Sequence, residues 1–229
     1  MHSTDVKKTL VQCDFDGTIT EGDVSFLLLD AFANGDWRRL LREYREGKIT
    51  VNHFNTRAFS MVKADRLTLV EFARDKVKIR LGFHQLVAYC QRRGFRFVIV
   101  SNGLDLYIEA ILKDAGLGDI EVLAAKSRFS SEGLNVAYIG PEGTQLEDGF
   151  KEAYSRSFLG EGYRIIYIGN GLSDISPARY AQLVFARDEL LAYYAEANLN
   201  YMSFVDLNDV VQKLKHLRLD WNADLDLSR

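Results

Sequence analysis

Two acids two positions apart, Asp14 and Asp16, follow the apolar run Leu10-Val11-Gln12-Cys13 and lead into Gly17-Thr18. At the end of a strand, side chains spaced by two point to the same side. No packing requirement places two carboxylates there, and confining them together is costly unless something compensates the charge. A divalent cation compensates it, and a phosphoryl group is the natural companion of such a cation. Two later stretches have a similar polar, glycine-bearing form: Ser101-Asn102-Gly103, and Gly169-Asn170-Gly171 running on to Asp174. Acidic side chains supply hard oxygen ligands suited to Mg²⁺, while Ser101 and exposed backbone N–H groups suit phosphate oxygens. Neither a His cluster nor a Cys cluster accompanies them, which disfavours zinc chemistry.

The hydrophobic pattern supplies the elements that must position these residues. Residues 6–13 read as a buried strand, and about 23–80 as a charge-rich helical block without a strand-like run. The pattern then predicts a helix at about 83–93 capped by Gly94 and a strand over 95–100. A helix at about 104–115 stops at Gly116, and a strand over 121–125 follows. Residues 127–147 read as a hairpin and loop, with turn signals at Glu132-Gly133 and Glu142-Gly143. A helix at 148–158, a strand over 163–168, a helix around 175–181 and a strand over 183–186 complete the pattern, and the tail after about 218 reads as frayed. Strands alternating with helices imply an α/β fold, a Rossmann-like three-layer α/β/α core with a parallel sheet and a small inserted helical domain. The expected division is a core of residues 1–21 and 82–229 with an insert of 22–81. In such a sheet, ligands bind at the carboxyl ends of the strands, so the three polar loops converge on one crevice.

The chain of 229 residues is 47% hydrophobic with a formal charge of −3, enough apolar content for a real core and too little basic excess for a nucleic-acid binder. Two cysteines, Cys13 and Cys90, do not make a disulfide scaffold. The start has no apolar leader and no stretch is long enough to span a bilayer, so a cytoplasmic protein without a membrane partner is expected.

In their order and spacing, these residues resemble the four motifs of the haloacid dehalogenase-like phosphohydrolases. Asp14 to Thr18 matches the family's Asp-x-Asp-x-Thr, Ser101 its strand-ending Ser or Thr, and Lys151 its helical Lys. Gly169-Asn170-Gly171-Leu172-Ser173-Asp174 approaches its Gly-Asp-x-x-x-Asp, with Asn170 where the family usually has a metal-ligating Asp. The resemblance implies a Mg²⁺-dependent phosphatase in which Asp14 attacks phosphorus and Asp16 serves as acid and then base. It also implies that Ser101, Asn102, Gly103 and Lys151 hold the phosphoryl oxygens. Asp14, the carbonyl of Asp16, Asn170 and Asp174 then form the metal set, and the missing charge at Asn170 implies either weaker metal binding or a larger share for Asp174.

The inserted block is similar to the helical cap of the phosphoserine-phosphatase-like branch. Arg57-Ala58-Phe59, Ser101 to Asp105 and Phe185 to Leu191 resemble the methionine-salvage phosphatases of that branch. The partner so implied is a small phosphorylated metabolite, met by a monomer or homodimer. Asp23 and Arg57 are the expected contacts to its non-phosphate end. A phosphoserine phosphatase, a phosphomutase and a weak phospho-metabolite binding module are the alternatives. Arg38, Arg42 and Arg45 share one helix face and read as solvated. His2, His53, His84 and His216 are scattered and read as structural, and Cys13 as a small buried filler.

Overall fold

The computed structural model describes residues 8–130 and 133–217. After β1 (Thr9–Cys13) come four helices, α1 (Val24–Phe32), α2 (Trp37–Arg45), α3 (Val51–Ser60) and α4 (Arg66–Lys76). The chain continues through α5 (Phe83–Arg93), β2 (Arg96–Leu104), α6 (Asp105–Asp114), β3 (Glu121–Ser130) and β4 (Gly133–Ala137). It ends with α7 (Phe150–Gly160), β5 (Arg164–Gly169), α8 (Ile175–Ala178), β6 (Leu183–Ala186), α9 (Asp188–Glu196), β7 (Met202–Ser203) and α10 (Leu207–His216).

The sheet has the order β4-β3-β2-β1-β5-β6-β7. Every pairing is parallel except the β3–β4 hairpin. Every residue of β1 is buried, so both faces of the sheet's centre are covered, as its continuous apolar run requires. Because β1 lies between β2 and β5, the loops after these three strands open side by side at one sheet edge.

The four helices after β1 start where the sequence supplies a cap. Asp23, Asp36, Thr50 and Asp65 each accept a hydrogen bond from the backbone N–H three residues on. α1 and α3 turn Leu28, Leu29, Phe54, Ala58 and Phe59 inward, and α2 contributes Trp37 and Leu40.

Several elements differ from the sequence expectation. β1 begins at Thr9, and residues 6 and 7 of the expected strand lie outside the described residues. β2 runs on through Leu104 instead of ending at Val100, and its register with β3 shifts between Ser101 and Leu104. The expected loop Ser101-Asn102-Gly103 is therefore a bulge, which re-aims side chains without ending the strand. β3 extends to Ser130, and α7 begins at Phe150, after Gly149 in the left-handed conformation. The helix expected over 175–181 shortens to Ile175–Ala178. α9, β7 and α10 were not anticipated. The frayed tail, and Glu132 of the first turn signal, lie outside the described residues. Among the described residues, no helix is long and apolar enough to cross a membrane.

Candidate active site

At the carboxyl edge of the sheet, β1 delivers Asp14 to the floor of a cavity of about 420 Å³. Lys151, on the first turn of α7, reaches the same point. Its Nζ lies 2.7 Å from Asp14 Oδ1 and 2.7 Å from Asp174 Oδ1. All three are buried. A lysine bridging two carboxylates is what makes such burial tolerable, and removing any member leaves an uncompensated charge. Burial works against the Lys151 charge, yet the two carboxylates more than offset it and raise its pKa above that of an ordinary lysine.

The lysine's helix is itself anchored to the central strand. Gln12 of β1 donates from Nε2 to the Lys151 carbonyl (3.2 Å), and its Oε1 accepts from the Ser155 hydroxyl (2.8 Å). Asp174, expected as a metal ligand, does not line the cavity. Its Oδ1 accepts from Lys151 and from the Tyr167 hydroxyl (2.7 Å). Its Oδ2 accepts from the N–H groups of Asn170 and Gly171, both at 2.9 Å. Its oxygens are spent on positioning Lys151 and shaping the loop after β5.

Asp16 lies beside the start of α1. Its Oδ1 accepts from the Val24 N–H (3.1 Å), while its Oδ2 accepts from the hydroxyls of Tyr107 and, at 3.4 Å, Ser25. Gly103 is required by this approach: a Cβ there would lie 2.0 Å from the Tyr107 hydroxyl oxygen and 2.3 Å from Asp16 Oδ2. Gly17, at a φ of +76°, is required by Asn170, whose Nδ2 would lie 2.5 Å from an added Cβ. Asn170 Oδ1 accepts from the Thr18 hydroxyl at 2.8 Å. Ser101 is buried at the cavity wall, its Oγ accepting from the Gly103 N–H at 3.1 Å.

The loop after β1 is held from behind by Arg80, a residue no sequence motif flagged. Its guanidinium donates to the carbonyls of Thr18 (2.8 Å), Gly17 and Thr20 (both 2.9 Å), and Val205 (3.4 Å). A buried cation spent on main-chain carbonyls fixes the turn that aims Asp14 and Asp16.

Electrostatics at the floor follow from dryness. Burial, then the neighbouring Asp174 charge, raise Asp14 to about 7 despite Lys151. Burial, then Asp23, raise Asp16 to about 8. Burial likewise raises Asp23. Three acids this reluctant to ionise mark a place that favours added positive charge. Among the described residues, no three Asp, Glu, His or Cys side chains converge as a metal set. Asp14 and Asp16 after β1 and the Asn170 amide after β5 bring oxygens to the cavity, which Glu21, Asp23, Asp188 and Glu189 line as well. The set of Asp14, Asp16 and Asn170, mixing carboxylate and carbonyl oxygens, fits Mg²⁺.

The opposite wall comes from the helical insert: Phe26, Leu41, Tyr44, Val51 and Phe54, with Asn55 among them. Asp23 lines the cavity too, but its Oδ1 is engaged as the N-cap of α1, accepting from Phe26 N–H at 2.8 Å. Arg57 is not brought to this cavity. It is exposed on the far side of α3, lining a groove with Val136 and Leu146, because helical spacing gives the inward position to Asn55. Arg45 does reach the rim, where it pairs with Glu189 of α9 at 3.4 Å rather than facing solvent alone. Asn55 and Tyr107 had only helical phase as a sequence signal, and Arg80 had none.

Comparison with known proteins agrees with this geometry. A family model described as haloacid dehalogenase-like hydrolase matches residues 11–179. A 2-hydroxy-3-keto-5-methylthiopentenyl-1-phosphate phosphatase from Geobacillus thermodenitrificans is 31% identical over 221 residues, covering 93% of this chain and 99% of the relative. A protein of the same name from Brevibacillus brevis is 29% identical over 216 residues, covering 93% and 97%. Among solved structures, a phosphoserine phosphatase with a phospho-aspartyl intermediate analogue superposes with a TM-score of 0.67 at 20% identity. That match covers 91% of this chain and 98% of the other.

Proposed function

Because the chain belongs to the haloacid dehalogenase-like hydrolases and is a phosphoric monoester hydrolase, we propose that it uses Mg²⁺ and an aspartyl-phosphate on Asp14 to dephosphorylate 2-hydroxy-3-keto-5-methylthiopentenyl-1-phosphate. The observation that carries the chemistry is Lys151 Nζ, 2.7 Å from both Asp14 and Asp174 at the cavity floor. Asp14 serves as the nucleophile, and the Lys151 charge favours its ionised form against the burial that opposes it. Asp16, raised by burial and Asp23, keeps a proton near neutral pH and delivers it to the leaving oxygen. It then takes a proton from the water that opens the acyl phosphate. The Ser101 hydroxyl and the main chain of Asn102 and Gly103 hold the phosphoryl oxygens. Asp14, the Asp16 carbonyl and Asn170 would hold Mg²⁺, which supplies charge neutralisation for the phosphoryl group when bound. Asp174 acts through Lys151.

The substrate follows from the relatives' names and from the chemistry of the wall. The basic residues lining the cavity, Lys151 and Arg45, are both already paired with acids. A substrate carboxylate, as in phosphoserine, finds no spare cation among them. An apolar tail finds Phe26, Leu41, Val51 and Phe54. The four helices of the insert act as a cap over the core. Phosphate release from the methylthiopentenyl ester and from phosphoserine, each with and without Mg²⁺, tests the proposal. Faster turnover of the former, dependent on Mg²⁺, is expected; preference for phosphoserine or indifference to Mg²⁺ overturns it.

A further inference from the structure

Asn55 is 95% buried at the cavity wall, and its amide faces two ways. Nδ2 donates to the Asn102 carbonyl at 3.1 Å and contacts the Tyr138 hydroxyl at 2.7 Å. Tyr138 in turn donates its hydroxyl to the same carbonyl, at 2.8 Å. A carbonyl oxygen only accepts, so the orientation of the Asn55 amide is fixed by chemistry: nitrogen toward the loop, oxygen away from it. Oδ1 accepts nothing from the described protein. The adjoining Asn102 is 92% buried, and its Oδ1 has no hydrogen-bond partner. A buried acceptor without a donor is uncommon and costly, so the one on Asn102, next to the free Asn55 oxygen, marks a place that a donor from a bound ligand would complete.

We propose that Asn55 is a specificity-determining residue whose Oδ1 accepts a hydrogen bond from a hydroxyl on the carbon next to the phosphoester carbon of the substrate. This inference rests on the phosphatase reading above. The placement follows from the anchor. Asn55 is bonded to the main chain of the residue after Ser101, so its free oxygen sits beside the phosphate seat and not at the far, apolar end. A hydroxyl supplies the missing donor; an amine would bring a positive charge, and a carboxylate would bring another acceptor. The substrate class is thus a 2-hydroxyalkyl or 2-hydroxyalkenyl phosphate with no charge beyond the phosphate itself. The same amide ties the insert to the phosphate-holding loop through its nitrogen, so recognition of the hydroxyl and placement of the loop share one side chain. A site built to pair a hydroxyl discriminates strongly against the analogue without it, because its own polar atom is then left unpaired.

The test measures kcat/KM for 2-hydroxypropyl phosphate and for propyl phosphate with Mg²⁺ present. The wild-type protein is expected to prefer the hydroxylated ester, and Asn55→Ala to reduce that preference at least about tenfold. Tyr138→Phe loosens the clasp but leaves Oδ1 in place, so it should slow both esters alike and keep the preference. Equal turnover of the two esters by the wild type, or a preference untouched in Asn55→Ala, overturns the role of Asn55 and leaves the phosphatase reading standing. Release from neither ester by the wild type overturns both.

Discussion

The floor and the wall of the cavity are built on opposite principles. On the floor, carried by β1, β5 and α7, polar atoms are spent on each other: Lys151 bridges Asp14 and Asp174, and Asp174 takes four hydrogen bonds. On the wall, carried by α1 to α3, apolar side chains stand around Asn55, whose amide meets Asn102 of β2, a residue with a buried Oδ1 that has no donor. A closed network holds reacting groups in one geometry, which is what transition-state stabilisation requires. A surface with spare acceptors and apolar area waits for a ligand to complete it. The contrast assigns chemistry to the floor and selection to the wall.

The largest effect expected from breaking the floor is that of Lys151→Ala. It strands two buried carboxylates and removes a phosphoryl contact, so kcat should fall by about 10³-fold or more, read as phosphate release at saturating substrate. A modest loss would place the phosphoryl group elsewhere in the cavity. Arg80→Ala touches no substrate but leaves carbonyls behind the acid pair without donors. A loss of about 2–4 kcal/mol in denaturant unfolding is expected. An unchanged midpoint would show that the loop after β1 holds its shape unaided.

A third test sharpens the contrast through pH. The folded state holds the Asp16 proton up to about 8, whereas a free aspartate side chain titrates at 3.8. The native state therefore loses stability as pH rises between those values, because the unfolded chain ionises more readily. Asp16→Asn cannot ionise and escapes that loss. In metal-free protein its Tm advantage over wild type should be absent near pH 4 and grow to its full size by pH 8. A difference that does not change with pH would remove burial as the cause. The smallest effect concerns Asn170. Asn170→Asp restores a negative charge beside Asp14 and should tighten half-saturation by Mg²⁺ about tenfold. An unchanged titration would place the ion out of reach of that residue.

The floor was legible in the sequence for a physical reason. Its residues sit at strand ends, where side-chain direction follows from a period of two, and their types name the chemistry. Asp14, Ser101 and Lys151 meet as expected. Asp174 was placed in the right loop but not in its role, since sequence spacing does not reveal that its lone pairs are taken by Tyr167 and the backbone of Asn170 and Gly171. The wall was less legible. Arg57 and Asn55 differ by two positions on one helix, and only the packing of α3 decides which faces inward. Arg80 was invisible because a guanidinium bound to main-chain carbonyls needs no particular sequence around it. β1, α5 and β6 were readable from apolar runs and glycine stops, whereas α9 and α10 carry mixed faces after the last strand signal.

The central claim is that Asp14 becomes covalently phosphorylated during turnover. Rapid acid quench of the protein with a phosphomonoester and Mg²⁺, followed by peptide mass spectrometry, tests it directly. One phosphoryl group on the peptide containing Asp14, absent from Asp14→Asn, is the predicted result. Steady phosphate release by Asp14→Asn, or a phosphoryl group on another residue during turnover, would contradict it.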